Sequence, residues 1–288
     1  MTQERDFRLA NRAGRAWLLD ADGRGIDVEA ASQGHLPADP MGVLARWDDL
    51  LAWARDADPS AGEAVALEEL GPCVPRPRAV FAIGLNYRDH AAEAGLEVPE
   101  QPMVFTKFPS CLVGPRDDVI LFSDRVDWEA ELVVVIGREA DRVDEDRARD
   151  FVAGYCVGQD VSDRRLQFAD RPPQFSLGKS RATFGPLGPA VVPLGALPDP
   201  DDLAITCDVA GERMQDSRTS QMIFGVPALV SWLSRHCRLS PGDVIFTGTP
   251  AGVGSVREPR RYLQPGDEIV TRIEGLGELR NRCVEPAA

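Results

Sequence analysis

Two glutamates open an aliphatic run in Asp127-Trp128-Glu129-Ala130-Glu131-Leu132-Val133-Val134-Val135-Ile136. Side chains alternate across a strand, so Glu129 and Glu131 fall on one face, about 7 Å apart along it. They share that face with Val133 and Val135. Two like charges leading into an aliphatic strand repel each other, and burying one unpaired charge costs several kcal/mol. A divalent cation between them removes both problems; a solvated strand end is the alternative. Oxygen ligands alone favour Mg2+, Mn2+ or Ca2+ over zinc. Asp160, closing the stretch YCVGQD, is a candidate third ligand if a helical crossover sets its strand beside the first. A plain turn aspartate is the other reading.

His90 and Glu93 are three apart in a short helical stretch and so share a face. A carboxylate beside an imidazole orients it and raises its basicity, which suits a general base acting on water. His35 lies in a polar loop, and His236 in the last turn of a helix, where it meets the C-terminal dipole. Of the 32 basic residues only Lys107 and Lys179 are lysine. Where arginine serves for every ordinary positive charge, a lysine marks a place that needs a compact, rotatable ammonium; the case is stronger for Lys179 than for Lys107. Lys179 follows RRLQFADRPPQFSLG, a structured loop that could act as a lid. TGTPAGVG (247–254) lacks both GK[ST] and GxGxxG, so it is a poor phosphate loop. Its N–H groups and the Thr249 hydroxyl could hold a ligand carboxylate, or the segment is a hairpin turn.

The elements that must position these groups are short strands and few helices. The chain has 288 residues, ordinary globular composition and a net charge of −14. That charge repels phosphate backbones and anionic lipid, which argues against nucleic-acid and membrane-surface partners. The longest aliphatic run, Leu132 to Ile136, is far too short to span a bilayer, and MTQERDFRLA has no apolar signal core, so a cytoplasmic location is expected. Six cysteines, none closer than 30 positions, offer no zinc spacing and are expected to be mostly buried and apolar.

Residues 6–30 read as strands with turns at 11–14 and 22–23, and 41–57 as an amphipathic helix. The proline-rich GPCVPRPR (71–78) reads as an extended linker, dividing a small N-terminal α/β unit (1–72) from a main domain (73–288). In the main domain, 80–87, 131–137 and 155–162 read as strands and 144–154 and 226–237 as helices; Asn86 is placed to cap a helix that Gly95 ends. LSPGDVI and LQPGDEI read as type II turns entering hairpins. The fold class expected is α+β with a barrel- or roll-like core.

Five segments in order, IGLNYRDHAAE (83–93), DWEAELVVVIG (127–137), GYCVGQDVSDRRLQ (154–167), GKSRATFGPLGP (178–189) and GDVIFTGTPAGVG (242–254), resemble the fumarylacetoacetate hydrolase family. The resemblance implies that family's mixed β-roll, usually as a homodimer, and a Mg2+ or Mn2+ site made by Glu129, Glu131 and Asp160. It implies His90 with Glu93 as the water-activating pair and Lys179 facing the substrate. Arg164, Gln167 and Thr249 fall where family members hold substrate. The implied activity is hydrolysis of a C–C bond in a 2,4-diketo acid through a pyruvate enolate. A decarboxylase, an enol-acid isomerase or a non-catalytic binding protein are the alternatives. Asp163, Arg165 and Arg181-Ala182 depart from the usual pattern beside the presumed lid. Arg164, Arg165 and Arg171 hint at a substrate with a second carboxylate, such as fumarylpyruvate or a diketo sugar acid.

Overall fold

Ala130–Ile136 is buried on both faces, and a strand with no exposed face belongs in the middle of a layered fold. The computed structural model, which describes residues 7–287, places it there. Residues 1–6, including the start of the expected strand region and most of the polar N-terminal stretch, lie outside the described residues. The strand belongs to an eleven-stranded mixed sheet. From one edge the order is Glu63–Ala64, Arg24–Asp27, Arg15–Leu19, Arg8–Arg12, Gly185–Val192, Val152–Gln159, Ala130–Ile136, Val244–Phe246, Val80–Gly84 and Met103–Thr106. Leu112–Val113 adds a parallel pairing to Gly185–Val192.

The two faces of the central strand pack on different layers. Leu132, Val134 and Ile136 meet Ile205, Cys207 and Ile269 of a five-stranded sheet. Val133 and Val135 join a second core with Val43, Leu44, Trp47 and Leu50 from the N-terminal helices. The fold is α+β, dominated by sheets, and does not close into a barrel. Sheet pairing crosses the division expected near residue 72, because Arg8–Arg12 is hydrogen-bonded to Gly185–Val192.

Several elements differ from the sequence reading. The expected helix over 41–57 is two helices, Pro40–Leu44 and Trp47–Ala54, broken where Arg46 leaves helical geometry and donates to the His35 carbonyl at 2.7 Å. The segment 144–154 forms a 3-10 helix, Glu145–Phe151, and then strand. Gly137 and Arg138 both donate backbone N–H to the Phe151 carbonyl, which closes the connection as a wide hairpin. The strands carrying the Glu pair and Asp160 are therefore antiparallel, not joined by a parallel crossover. Both Pro-Gly turns form, but neither joins paired neighbours: Gly242 donates to Ile136 and Gly266 to Cys283. All six cysteines are free and five are buried.

Asn86 does not cap the helix Arg88–Ala94; Tyr87 holds the cap position and makes no side-chain cap bond. The Asn86 amide instead donates to the Phe224 and Thr247 carbonyls at 3.0 and 2.7 Å and accepts from Phe224 N at 2.8 Å. It ties the base of the His90 helix to the strand end before TGTPAGVG. Asn86→Ala would strand those buried groups and should cost about 2–3 kcal/mol in urea denaturation; a change below about 0.5 kcal/mol would show that water replaces the side chain.

Candidate active site

The antiparallel register sets Ala130 opposite Gln159, so the next residues outward, Glu129 and Asp160, stand side by side, with Asp160 N donating to the Glu129 carbonyl at 2.9 Å. Glu131 joins them: one carboxylate oxygen from each of the three lies within 4.8 Å of the others, and all three residues are buried. Hard divalent cations bind oxygen at about 2.0–2.6 Å, so oxygens across one ion are about 4–5 Å apart. The donor set and its spacing fit such an ion.

Cations already reach two of the three. Lys179 Nζ donates to Glu129 Oε2 at 2.7 Å and Asp160 Oδ2 at 2.6 Å. Lys107 Nζ donates to Asp160 Oδ1 at 2.7 Å, to Phe184 O at 3.0 Å and to Lys179 O. Arg164 bridges Glu129 Oε1 at 2.6 Å and Asp127 Oδ2 at 2.8 Å. Burial works against ionising Glu129, but Lys179 and Arg164 outweigh it and hold the carboxyl below the usual range. Burial likewise disfavours the charged Lys179, yet Asp160 and Glu129 push its ammonium up.

Glu131 is different. Among the described residues no Lys or Arg nitrogen lies within ion-pair distance of it. Burial, then Asp160 and Glu129, push its carboxyl well above the usual range, and its Oε2 has the Gly248 N–H at 2.7 Å. Counting Asp127, four buried carboxyls face the three cations Lys107, Lys179 and Arg164, and Glu131 is the one left without a cationic partner, a place for either a proton or a metal ion.

TGTPAGVG serves the protein's own carboxylates. Gly248 N holds Glu131, Gly252 N holds Glu93 at 2.9 Å, and Gly254 N and Ser255 N hold Asp127 at 2.7 and 3.0 Å. Gly248 and Gly252 have φ of +98° and +107°, and a Cβ at Gly252 would lie 2.0 Å from the Met214 carbonyl, so only glycine aims these N–H groups inward. The suggested ligand-carboxylate loop is thus a carboxylate-positioning loop. The Thr249 hydroxyl donates to the Ala130 carbonyl at 2.9 Å and accepts from Gln215 at 2.8 Å. That leaves it one acceptor position.

A cleft of about 190 Å3 opens over this floor, and His90, Glu129, Arg164, Gln167, Lys179 and Thr249 all line it. Gln167 accepts from Arg164 Nη1 at 2.9 Å. His90 Nδ1 stands 3.6 Å from Glu93 Oε2, close but longer than a hydrogen bond, and has no other partner. Neither Arg165 nor Arg171 lines the cleft; Arg165 pairs outward with Asp124 at 2.6 Å. Of the three arginines in that strip, Arg164 alone lines the cleft.

Residues 79–284 match the fumarylacetoacetate (FAA) hydrolase C-terminal family. The chain belongs to the fumarylacetoacetate hydrolase family. It is similar to the fumarylacetoacetate hydrolase of Exiguobacterium antarcticum, with 32% identity, coverage of 98% of this chain and 99% of that one, and a TM-score of 0.83. It is also similar to the fumarylpyruvate hydrolase of Pseudomonas aeruginosa, solved with Mn2+ and pyruvate (34%, 73% and 91%, TM-score 0.66). A mitochondrial oxaloacetate tautomerase of Bos taurus is 46% identical over 213 residues, covering 73% of this chain and 68% of its own. The chain is an enzyme of this family, whose members act on keto acids.

Sequence reasoning undervalued Lys107, whose three N–H groups are all engaged and which is 1% exposed. The signal available was its rarity. It also missed Asp127, Gln159 and Gln215. Gln159 accepts from Glu129 N at 2.8 Å and Gln215 from Ala130 N at 2.9 Å, so two amide side chains complete the backbone where the Glu pair enters the sheet. Removing one partner of a buried ion pair costs about 3–5 kcal/mol. Lys107→Met should therefore lower the urea-denaturation stability by about 3 kcal/mol. Lys107→Arg should not restore it, since a planar guanidinium cannot take three convergent acceptors in that space. Full stability in the arginine variant would contradict this.

Proposed function

We propose that this enzyme hydrolyses a C–C bond of a 2,4-diketo acid, using a Mg2+ or Mn2+ ion held by Glu129, Glu131 and Asp160. The observation that carries the reading is the buried carboxylate trio, in which Glu131 has no cationic partner and Glu129 lines a cleft that also holds a histidine and a lysine. A cation bound there supplies Lewis-acid stabilisation for the oxygen that gains negative charge.

The rest of the chemistry is assigned to side chains. The substrate carboxylate meets the free N–H groups of Arg164 and the Gln167 amide. Three of five guanidinium donors are used internally, so two remain. Lys179 has one N–H left after Glu129 and Asp160, and it donates to the developing enolate oxygen. His90 takes a proton from water, with Glu93 tightening onto Nδ1 from 3.6 Å as the imidazolium forms. The water oxygen bonds to the distal carbonyl carbon, the C3–C4 bond breaks, and its electron pair becomes the pyruvate enolate. Protonation of C3 then releases pyruvate and a carboxylic acid. Thr249 offers its remaining acceptor position to a substrate hydroxyl or water.

A second reading is an enol–keto tautomerase. It is favoured by the 46% identical oxaloacetate tautomerase and by His90 Nδ1 being without a hydrogen bond, since tautomerisation needs one base and no activated water. We also propose a homodimer and an intracellular, membrane-free setting; exposed Val104 and Phe108 near the edge strand support the dimer, and no helix is long and apolar enough to cross a membrane.

Mn2+ at about 100 times its Kd should stabilise the fold by about 2.7 kcal/mol. Glu131→Gln should fold and lose most of that shift in thermal melting; an undiminished shift places the ion elsewhere. With pyruvate release from acylpyruvates as the readout, Lys179→Ala should lower kcat by on the order of 10²–10³ and His90→Ala by about 10²–10⁴. If no acylpyruvate yields pyruvate while oxaloacetate enol disappears faster with enzyme, the tautomerase reading replaces the first.

A further inference from the structure

The polar floor of the cleft has an apolar upper part that the hydrolytic chemistry does not use. Met103 and Phe105 project from one face of the edge strand Met103–Thr106, and Leu96 follows the His90 helix. Phe168 and Phe175 come from the loop before Lys179, and Val256 from the end of the glycine-rich segment. Phe175 stands edge-on to Phe105 at 5.5 Å and to Phe168 at 6.4 Å between ring centroids. Leu96 and Phe168 are more than half exposed, so this wall reaches the mouth.

Among the described residues the Lys and Arg side chains that line the cleft are Arg164 and Lys179, and both are anchored at the floor by Glu129, Asp127 and Asp160. The departures from family pattern beside the lid do not supply another: Arg165 pairs with Asp124 at 2.6 Å and does not line the cleft. Arg181 pairs with Asp163 at 2.9 Å and stacks over Phe122 at 5.2 Å, and neither arginine nor aspartate lines the cleft. A carboxylate at the far end of a substrate would lose water against aromatic rings and gain no counter-charge. An alkyl or aryl group there would gain contact with three rings.

Resting on the 2-oxo-acid reading of the floor, we propose that the enzyme selects substrates whose acyl end is an uncharged alkyl or aromatic group, and that Phe105, Phe168 and Phe175 determine this selectivity. The specificity is therefore for acylpyruvates with apolar tails, in contrast to dicarboxylic ones such as fumarylpyruvate. A carboxylate one carbon from the keto group, as in oxaloacetate, would still sit on the floor and is not discriminated by this wall.

Binding of unreactive 2-oxo acids tests the wall whatever reaction the floor performs. With Mn2+ present, affinities are measured by calorimetry for pyruvate, 2-oxobutanoate, 2-oxopentanoate, 2-oxoheptanoate, 4-phenyl-2-oxobutanoate and the diacid 2-oxoadipate. Affinity should rise roughly fourfold per added methylene until the cleft is filled. The diacid should bind at least tenfold more weakly than 2-oxoheptanoate. Phe168→Arg, at an exposed position that tolerates substitution, should narrow or reverse that ratio. Affinity flat with chain length, or a diacid that binds more tightly than the monoacid, overturns the proposal. Failure of every acylpyruvate to be cleaved, with the chain-length series intact, would overturn the hydrolase reading alone.

Discussion

Everything near the cleft is organised by a single electrostatic problem. Three carboxylates lie within 4.8 Å of one another with almost no access to water. At an effective dielectric of about 20, each like-charged pair at that spacing repels by about 3.5 kcal/mol. Lys107, Lys179 and Arg164 offset part of this, and each is itself buried and dependent on the same carboxylates. Removing any member leaves another uncompensated. The surroundings supply what the charges cannot: Gly248 N–H at Glu131, Gln159 and Gln215 at the backbone beside the Glu pair, and Asp127 pinned by three N–H groups so that it in turn fixes Arg164. The remaining deficit is at Glu131, and that is where an added cation would give most.

The two lysines show how this constraint acts on residue choice. They are 72 positions apart and both donate to Asp160, one to each carboxylate oxygen. In a chain that otherwise uses arginine, the shared feature is a small space with acceptors converging from several directions. A tetrahedral ammonium meets these acceptors, and a planar guanidinium does not. Where the partners lie in one plane, as with Asp127, Glu129 and Gln167, arginine is the residue used.

Much of this was legible in the sequence because it follows from local pattern. The Glu-x-Glu lead into an unbroken aliphatic run left a buried cation site and a solvated strand end both open, and the strand is buried; His90 and Glu93, at helical spacing, stand 3.6 Å apart, with His90 lining the cleft. What was not legible depended on pairing across long separations. Antiparallel rather than parallel neighbours cannot be told from strand composition; here the 3-10 turn ending at Phe151 decides it. Asn86 has the residue type of a helix cap, but its partners lie 138 and 161 positions away. TGTPAGVG shows inward N–H groups by its glycines, yet nothing local says that they serve Glu131, Glu93 and Asp127 and not a ligand. Asp163 and Arg181 each look irregular singly and are explained only as a pair.

The same separation limits what the floor can say about substrate. Floor groups are held by sheet register and by backbone N–H bonds from a glycine-rich loop, so their positions are coupled to the core. The upper wall comes from an edge strand and from the loop 168–174 with the short helix that follows it, whose contacts are mostly with each other. Wall and floor meet at the two lysines: Lys107 directly follows the edge strand, Lys179 follows the short helix, and the Lys179 ammonium lies 5.3 Å from the Phe105 ring centroid. On the proposed reading, a floor that stabilises an enolate and a wall that contacts the acyl group are compatible with hydrolysis, tautomerisation or decarboxylation alike.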